Sequence, residues 1–236
     1  MKIVVTGALG HIGSRLIREL PLLLRGAEIV MVDNLSTQRY ASLFHLSPKG
    51  RYRFVEADIL KADLGPIFKG ADSVVHLAAI TDAEASFDIR ERVEEVNFGW
   101  TERVALACLE SHSALIFPST TSVYGTQKEV VSEDCAHEDL KPQSPYAESK
   151  LKAEQMLAKM SRSHGLRHVV CRLGTIFGTS PGMRFHTAVN KFCWQAVMNQ
   201  PITVWRTALN QHRPYLSLGD AVGAIAFLIK KKICDG

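Results

Sequence analysis

The sequence predicts an α/β fold with a parallel, doubly wound sheet and helices on both of its faces. Short apolar runs rich in β-branched residues alternate along the chain with longer stretches whose apolar residues follow helical spacing. This alternation is typical of parallel sheets, whose strands are joined by helices and buried on both sides. A glycine-rich turn between the first apolar run and the first helical stretch is a second sign of this fold class.

Six apolar runs are predicted to be the strands of the sheet: Lys2–Thr6, Ile29–Asp33, Arg53–Glu56, Ser73–Leu77, Ala114–Phe117 and His168–Arg172. The predicted helices are Ile12–Leu24, Asp88–Ser111, Tyr146–Ser163 and Thr187–Met198. Residues 127–144 are polar and are predicted to form a loop, and after Gly178 the strand rhythm breaks, with one strand-like run at Ile202–Trp205. We therefore interpret residues 1–178 as one domain and residues 179–236 as a smaller appended region that returns in part to the first domain.

Composition excludes several classes of function. The chain has 236 residues, 46% of them hydrophobic, and a net charge of only +4 with scattered Lys and Arg, so nucleic-acid binding is not indicated. The five cysteines are far apart and form no C-x-x-C pair, which supports neither a disulfide framework nor a zinc site. Without a signal-peptide pattern or an apolar run long enough to span a bilayer, we expect a cytoplasmic protein with no membrane partner.

The first strand leads into a turn that carries Gly7, Gly10 and Gly13 at intervals of three residues. Glycines at this position let a pyrophosphate approach the N–H groups at the start of the next helix, where the helix dipole is positive. Asp33 lies twenty residues beyond Gly13, at the end of the second strand. A carboxylate there can accept hydrogen bonds from a ribose 2′-OH and would repel a 2′-phosphate, so the sequence predicts NAD rather than NADP.

Tyr146 and Lys150 lie four residues apart, on one face of a helix predicted to begin at Ser144–Pro145. A neighbouring ammonium and a cationic nicotinamide would favour the phenolate form and lower the pKa of Tyr146, which would make it a usable base. Tyr124 and Lys128 have the same spacing. They follow a strand and enclose a glycine, so we interpret that second pair as a turn or a coincidence.

A run of hydroxyl residues, Ser119 to Ser122, directly follows the strand Ala114–Phe117. The carboxyl ends of parallel strands face the crevice in which such sheets bind ligands. Thr120 is therefore predicted to contact the reacting oxygen of a substrate beside Tyr146, although hydroxyl residues after a strand often serve only to form a turn.

Together these residues resemble the extended short-chain dehydrogenase/reductases with a Rossmann fold, in particular the UDP-glucose 4-epimerase-like members of the NAD-dependent sugar-nucleotide epimerase/dehydratase family. The similarity runs from Met1 to about Ala226 and includes the further motifs Glu56–Ile59, His76–Ala79, Arg172–Gly178 and Arg213–Asp220. It implies Thr120, Tyr146 and Lys150 as catalytic residues. The residues that it implies for cofactor binding are Gly7, Gly10, His11, Ile12, Gly13, Asp33, Asn34, Ser36, Asp58, Ile59, Leu77, Ala78, Ala79, Asn97, Tyr146 and Lys150.

The resemblance also implies the reaction, a reversible oxidation of a hydroxyl group on a nucleoside-diphosphate sugar. Thr121 and Ser122 occupy the positions at which dehydratases and decarboxylases of the family carry acids, which favours an epimerase acting at C4. A sugar-nucleotide reductase or dehydrogenase, a dehydratase, or an NAD-binding module without catalysis are the alternatives. A homodimer formed through the helices Asp88–Ser111 and Tyr146–Ser163 is expected from the resemblance alone.

Three features depart from the family pattern. Trp100 stands where the family has a small residue, and Thr175 stands where the family has an asparagine that touches the sugar nucleotide. Family members usually continue well past the position of Gly236, so we expect part of the customary substrate domain to be missing, shortened or supplied differently, with a small, shortened C-terminal substrate-binding region here. The residues predicted to contact the sugar nucleotide are Thr120, Thr175, Arg184, Asn190 and Arg213, of which Arg184 and Asn190 have equally good interpretations as an ordinary loop cation and an ordinary polar helix residue.

Overall fold

The computed structural model describes residues 1–81, 87–88, 90–125, 130–204, 206 and 212–234. Its main sheet has six strands, which are β1 (Lys2–Thr6), β2 (Glu28–Asp33), β3 (Arg51–Glu56), β4 (Ser73–His76), β5 (Ala114–Thr120) and β6 (His168–Leu173). The strand order is β3-β2-β1-β4-β5-β6, and each neighbouring pair is parallel. The chain thus winds outward from β1 in both directions, and the order reverses between β1 and β4. This reversal places a ligand crevice at the carboxyl ends of those two strands.

The helices are α1 (His11–Leu23), α2 (Gly65–Phe68), α3 (Arg90–Ser111), α4 (Pro145–His164), α5 (Ala188–Val197) and α6 (Leu218–Lys231). They cover two faces of the sheet, because alternate residues of each strand point to opposite sides. Ile3 and Val5 of β1 belong to an apolar cluster with α1 and α6, whereas Val4 belongs to a second cluster with α2, α3 and α4. The predicted doubly wound Rossmann architecture is confirmed. None of the helices within the described ranges is long and apolar enough to cross a membrane.

The sequence around α4 fixes where this helix begins and ends. Ser144 caps the N-terminus by accepting a hydrogen bond from the Ala147 N–H (3.2 Å), and Pro145 occupies the first turn. Gly165 ends the helix with φ +71°, a left-handed conformation that glycine adopts without strain. Tyr146 is therefore held in the first turn, next to the helix start.

Strand β5 is longer than predicted. It continues past Phe117 to Thr120, because Pro118, Ser119 and Thr120 pair with residues 171–173 of β6. The pairing of β5 with β4 stops at Ile116, so Pro118 sits where the strand has a partner on one side only, a position that tolerates its missing N–H. Thr120 is consequently fixed as the last residue of a strand rather than placed in a flexible loop.

After β6 the chain leaves the main sheet. Strands β7 (Thr175–Phe177) and β8 (Tyr215–Ser217) form a parallel pair, and α6 then packs back onto α1. The predicted strand at Ile202–Trp205 is wrong for residues 202–204, which are exposed and have no strand partner. Apolar alternation without a neighbouring strand leaves the backbone groups unpaired, so water competes successfully for them. Trp205 lies outside the described residues.

Candidate active site

The glycine turn between β1 and α1 is formed by close contacts between backbone atoms. Gly7 has φ +65°, and a Cβ atom there would lie 2.6 Å from the Ala78 nitrogen. A Cβ atom on Gly13 would lie 2.4 Å from the Gly7 carbonyl oxygen. No side chain caps the N-terminus of α1 at Gly10, so the helix presents its positive end to the crevice. This is the arrangement that binds phosphate groups without a side-chain cation.

Asp33 ends β2 beside this turn. One of its carboxylate oxygens accepts from the Leu9 N–H and the other from the Leu35 N–H, each at 3.0 Å. These two bonds fix the carboxylate at the rim of a cavity next to the glycine turn. Trp100 and Arg184 also line this cavity. The other lining residues that the sequence predicted for the cofactor are Gly7, Gly10, Asn34, Ser36, Ile59, Leu77, Ala78 and Ala79.

A larger cavity of about 720 Å³ opens from the same turn toward α4 and β7. Its size lies in the range of small-molecule sites. The catalytic candidates Thr120, Tyr146 and Lys150 all line it. The two cavities share Gly7, Gly10 and Arg184 in their walls, so they form one crevice with a nucleotide end and a catalytic end.

Lys150 lies in the wall of the catalytic end, almost fully buried. Its ammonium donates to the Pro118 carbonyl oxygen (2.8 Å) and lies 4.3 Å from the centre of the Phe117 ring. Burial lowers the pKa of Lys150 to about 7, and the nearby Glu154 carboxylate opposes this shift. Thr120 accepts a hydrogen bond from the Ser122 N–H (3.1 Å), which leaves its own hydroxyl hydrogen available to a ligand.

Burial raises the pKa of Tyr146 to about 12, and the cation that opposes this shift is Arg184. The sequence had predicted this role for Lys150. In the structure the Lys150 ammonium is engaged by the Pro118 carbonyl and the Phe117 ring, whereas Arg184 belongs to the wall of the same cavity as the phenol. The protein alone therefore keeps Tyr146 protonated at neutral pH.

Comparison with known proteins identifies the family. The model of the NAD-dependent epimerase/dehydratase family matches residues 3–234. The chain belongs to this family. The family resemblance predicted from the sequence is thus confirmed, and NAD is the cofactor.

Among curated relatives, an uncharacterized UDP-glucose epimerase of Bacillus subtilis is 32% identical over 98% of this chain and 73% of its own length. UDP-glucuronic acid decarboxylase 1 of Arabidopsis thaliana is 25% identical, with 52% of its length covered. Among solved structures, the UDP-glucuronic acid 4-epimerase of Bacillus cereus, in complex with UDP-glucuronic acid and NAD, has a TM-score of 0.88 and 30% identity over all of this chain and 76% of that one. A UDP-N-acetylglucosamine 4-epimerase from Methanobrevibacter ruminantium has a TM-score of 0.86 and 25% identity over 97% of this chain and 73% of its own.

The crevice of this epimerase/dehydratase family member fits NAD. Gly7 and Gly13 allow the close backbone packing of the turn because they lack Cβ atoms, and the Asp33 carboxylate is fixed beside that turn, as a ribose-binding carboxylate would be. A third feature is His76, the last residue of β4, which lines the large cavity. Its ring is 1% exposed, Nδ1 lies 2.7 Å from the Thr6 hydroxyl oxygen, and Nε2 has no partner among the described residues. Burial, assisted by the Lys150 charge, lowers the pKa of His76 to about 3, so the ring is neutral.

Some predicted residues lie behind the walls of the crevice. Asn97 holds the chain after β4 against α4. Its side-chain amide accepts from the Ile80 N–H and donates to the Ile80 carbonyl oxygen and to the Ser149 hydroxyl. Asn190 is 3% exposed, and its amide accepts from the Gly178 N–H and donates to the Arg184 carbonyl oxygen. Asp58 accepts from the Leu60 N–H. The substrate candidates Thr175, Arg184 and Arg213 do line the large cavity, whereas a substrate contact by Asn190 stays a prediction.

Two features of the site were missed by sequence reasoning. The first is the segment Gly178–Gly182, which contacts the start of α1. His11 Nε2 donates to the Gly178 carbonyl oxygen (2.9 Å), and the Ser180 hydroxyl donates to the His11 carbonyl oxygen (2.9 Å). The second is Glu154. Its position four residues after Lys150 could have indicated it, because this spacing places both side chains on one helix face.

Proposed function

We propose that the protein is an NAD-dependent 4-epimerase of a UDP-sugar. The observation that supports this most strongly is the composition of the large cavity. It gathers Thr120, Tyr146 and Lys150 next to the glycine turn, and no carboxylate is present among the described residues that line it. A dehydratase needs an acid or base to assist elimination beside the oxidised carbon, whereas an epimerase needs only the proton acceptor that Tyr146 provides.

In the proposed reaction Tyr146, as phenolate, accepts the proton of the sugar C4 hydroxyl, while Thr120 donates a hydrogen bond to the same oxygen. NAD, when bound, supplies the acceptor and later the donor of the C4 hydride. Tyr146 then returns the proton to the oxygen after the other face of the sugar is presented. Lys150 binds the ribose of the cofactor, and Arg184 stabilises the phenolate through its charge.

The cations of the catalytic end suit an anionic substrate. Arg184 and Arg213 both contribute to the wall of the large cavity. A guanidinium group can bind a diphosphate or a sugar carboxylate with two parallel hydrogen bonds. With the substrates named for the similar structures, this favours a UDP-hexose or a UDP-hexuronic acid.

The test is to incubate the purified protein with a panel of UDP-glucose, UDP-glucuronic acid, UDP-N-acetylglucosamine and dTDP-glucose, and to separate the products by chromatography. We expect interconversion of one C4 pair without net change in absorbance at 340 nm. Accumulation of NADH would indicate a dehydrogenase, and a 4-keto-6-deoxy product a dehydratase. If NAD binds but no sugar nucleotide is converted, a non-catalytic NAD-binding module is the better description.

A homodimer through α3 and α4, a cytoplasmic location and the division of the chain at residue 178 stay predictions. Size-exclusion chromatography with light scattering tests the dimer directly. A monomer at micromolar concentration would contradict it.

A further inference from the structure

Behind the catalytic residues lies a buried ion pair that joins three elements. Glu154 of α4 is 7% exposed, and its carboxylate accepts hydrogen bonds from the Ser119 hydroxyl and from two nitrogens of Arg172. The Arg172 Nη2 atom lies 2.7 Å from one carboxylate oxygen, and Nε lies 3.1 Å from the same oxygen. A single carboxylate thus connects the catalytic helix with the ends of β5 and β6.

Arg172 continues this network to a fourth partner. Its Nη1 atom donates to the Tyr124 hydroxyl (3.0 Å), and its guanidinium lies 5.0 Å from the centre of the Tyr124 ring. Tyr124 ends the short 3-10 turn Thr121–Tyr124 that follows Thr120. The tyrosine of the second Tyr-x-x-x-Lys sequence is therefore part of the network behind the site, and Lys128 lies outside the described residues.

The network meets the reacting groups at two points. Ser119, which donates to Glu154, stands between Pro118, the acceptor of the Lys150 ammonium, and Thr120, the predicted contact of the sugar oxygen. Glu154 is also one helical turn beyond Lys150 and two beyond Tyr146. Any shift of the carboxylate would therefore change the spacing between the strand that carries Thr120 and the helix that carries the other two residues.

The same carboxylate also opposes the loss of charge that burial would impose on Lys150. The titratable groups around the Lys150 ammonium are Tyr146 and Glu154 on α4, His76 on β4 and, beyond the carboxylate, Arg172 on β6. His76 is neutral and Arg172 is positive, so among these titratable groups it is Glu154 that favours the ammonium form. Buried ion pairs are costly to desolvate, and apolar replacements are often as stable, which makes a function for this pair testable.

We propose that Glu154 is a positioning residue for catalysis, which holds Thr120 in register with Tyr146 and Lys150 and supplies the counter-charge of the Lys150 ammonium. This inference rests on the proposed function for its kinetic part. Arg172 and Tyr124 act through Glu154, since they fix the orientation of its carboxylate.

The experiment compares Glu154→Gln, the double variant Glu154→Leu/Arg172→Met, and the control Glu94→Gln. Glu94 pairs with Lys152 between α3 and α4 in a half-exposed ion pair, far less buried than the pair of Glu154. Each protein is measured by urea unfolding, by kcat and KM against pH, and by the pH dependence of acetic anhydride labelling of Lys150, read by mass spectrometry.

We expect the double variant to keep most of the wild-type stability, because two apolar side chains replace the pair and neither Glu154 nor Arg172 is left without the other. Its kcat should nevertheless fall by about tenfold or more, with little change in KM, since geometry rather than sugar binding is altered. In Glu154→Gln the midpoint of Lys150 labelling should move to lower pH by about one unit, because the counter-charge is gone. We also expect kcat to fall as the pH rises through the pKa of Lys150, and in Glu154→Gln this fall should shift to lower pH by the same amount. Glu94→Gln should match the wild type in every measurement.

A double variant with full stability, wild-type kcat and an unchanged pH profile would overturn the proposal, and so would an unchanged labelling midpoint in Glu154→Gln. If the double variant does not fold, the labelling midpoint and the pH dependence of kcat in Glu154→Gln test the proposal by themselves. Labelling needs no sugar nucleotide, so it separates the two proposals: a wild-type protein that converts no sugar nucleotide refutes the proposed function, whereas the labelling midpoint still tests Glu154.

Discussion

At the nucleotide end of the crevice, the contacts that shape the site are between backbone atoms. Gly7 and Gly13 approach Ala78 and each other so closely that no Cβ fits, and the helix end is left without a side-chain cap. At the catalytic end, the shape depends on side chains: Lys150 on a carbonyl group, and Glu154 between Ser119 and Arg172. At the first end the glycines themselves lie close together in the turn from residue 7 to residue 13, and the backbone of Ala78 closes over them. At the second end the side-chain partners are 18 to 35 residues apart.

The two ends should therefore lose function in different ways. A backbone-built end is disturbed by an added atom and should lose ligand affinity. A side-chain-built end is disturbed by a lost charge or hydrogen bond and should lose rate with its ligands still bound. Four substitutions test whether the two ends are separable in this way.

Tyr146→Phe should have the largest effect. It removes the proton acceptor and leaves the ring, so turnover of the sugar nucleotide should fall by about 10²- to 10⁴-fold. The affinity for NAD, measured by calorimetry, should change little because the nucleotide end is untouched. A variant that keeps more than a tenth of the wild-type kcat would show that another group takes the proton.

Gly13→Ala should come next, with its effect confined to the nucleotide end. The new Cβ would overlap the Gly7 and Ala8 carbonyl oxygens at 2.4 and 2.7 Å, and relieving the overlap costs about 1–3 kcal/mol. Calorimetry should therefore show about 10- to 100-fold weaker binding of NAD. The matched control is Gly223→Ala in α6, where a Cβ meets nothing within 4 Å, and which should leave NAD affinity unchanged. Equal affinities of Gly13→Ala and wild type would contradict the prediction.

Lys150→Met should make the folded protein more stable, because it removes a buried charge from the catalytic end. The pKa of Lys150 is about 7 in the folded chain and 10.5 when unperturbed, so the unfolded state binds more protons between these values. Stability due to this group therefore rises with pH across that window, and below it the buried charge is a full penalty. Urea unfolding should find the variant more stable by about 1–3 kcal/mol at pH 7. The difference should narrow toward pH 10, and a constant difference would refute the assignment.

Trp100→Phe should have the smallest effect. The indole is part of the wall of the nucleotide end, beside Asp33 and Ile59, and its N–H is buried without a partner in the described part of the chain. We expect NAD to quench Trp fluorescence, and the variant to lose most of that quenching with about two- to fivefold weaker binding. Trp194→Phe, at an exposed site on α5, should retain the quenching. The opposite pattern would show that NAD does not bind against Trp100.

The same contrast explains how much the sequence could predict. Gly7, Gly13 and Asp33 were predictable because a turn, a helix start and a strand end impose their residues locally. Tyr146 and Lys150 were predictable because helical spacing places them on one face. The register of Ser119 against Arg172 was not, because it arises only when β5 and β6 pair. Residues 202–204 show the reverse error, in which local alternation indicated a strand that finds no partner.

The segment Gly178–Gly182 links the two regions mechanically. The Gly178 carbonyl oxygen accepts a hydrogen bond from the His11 ring, and the Gly182 N–H donates to the Ser14 hydroxyl (3.0 Å). A Cβ atom on Gly182 would lie 2.3 Å from the Leu9 carbonyl oxygen. The loop that leads toward Arg184 is thus tied to the helix end that we expect to bind the phosphates. If release of NAD breaks these contacts and release of the sugar nucleotide does not, NAD leaves with the larger rearrangement. We therefore expect the protein to keep one NAD molecule over many turnovers of the sugar nucleotide.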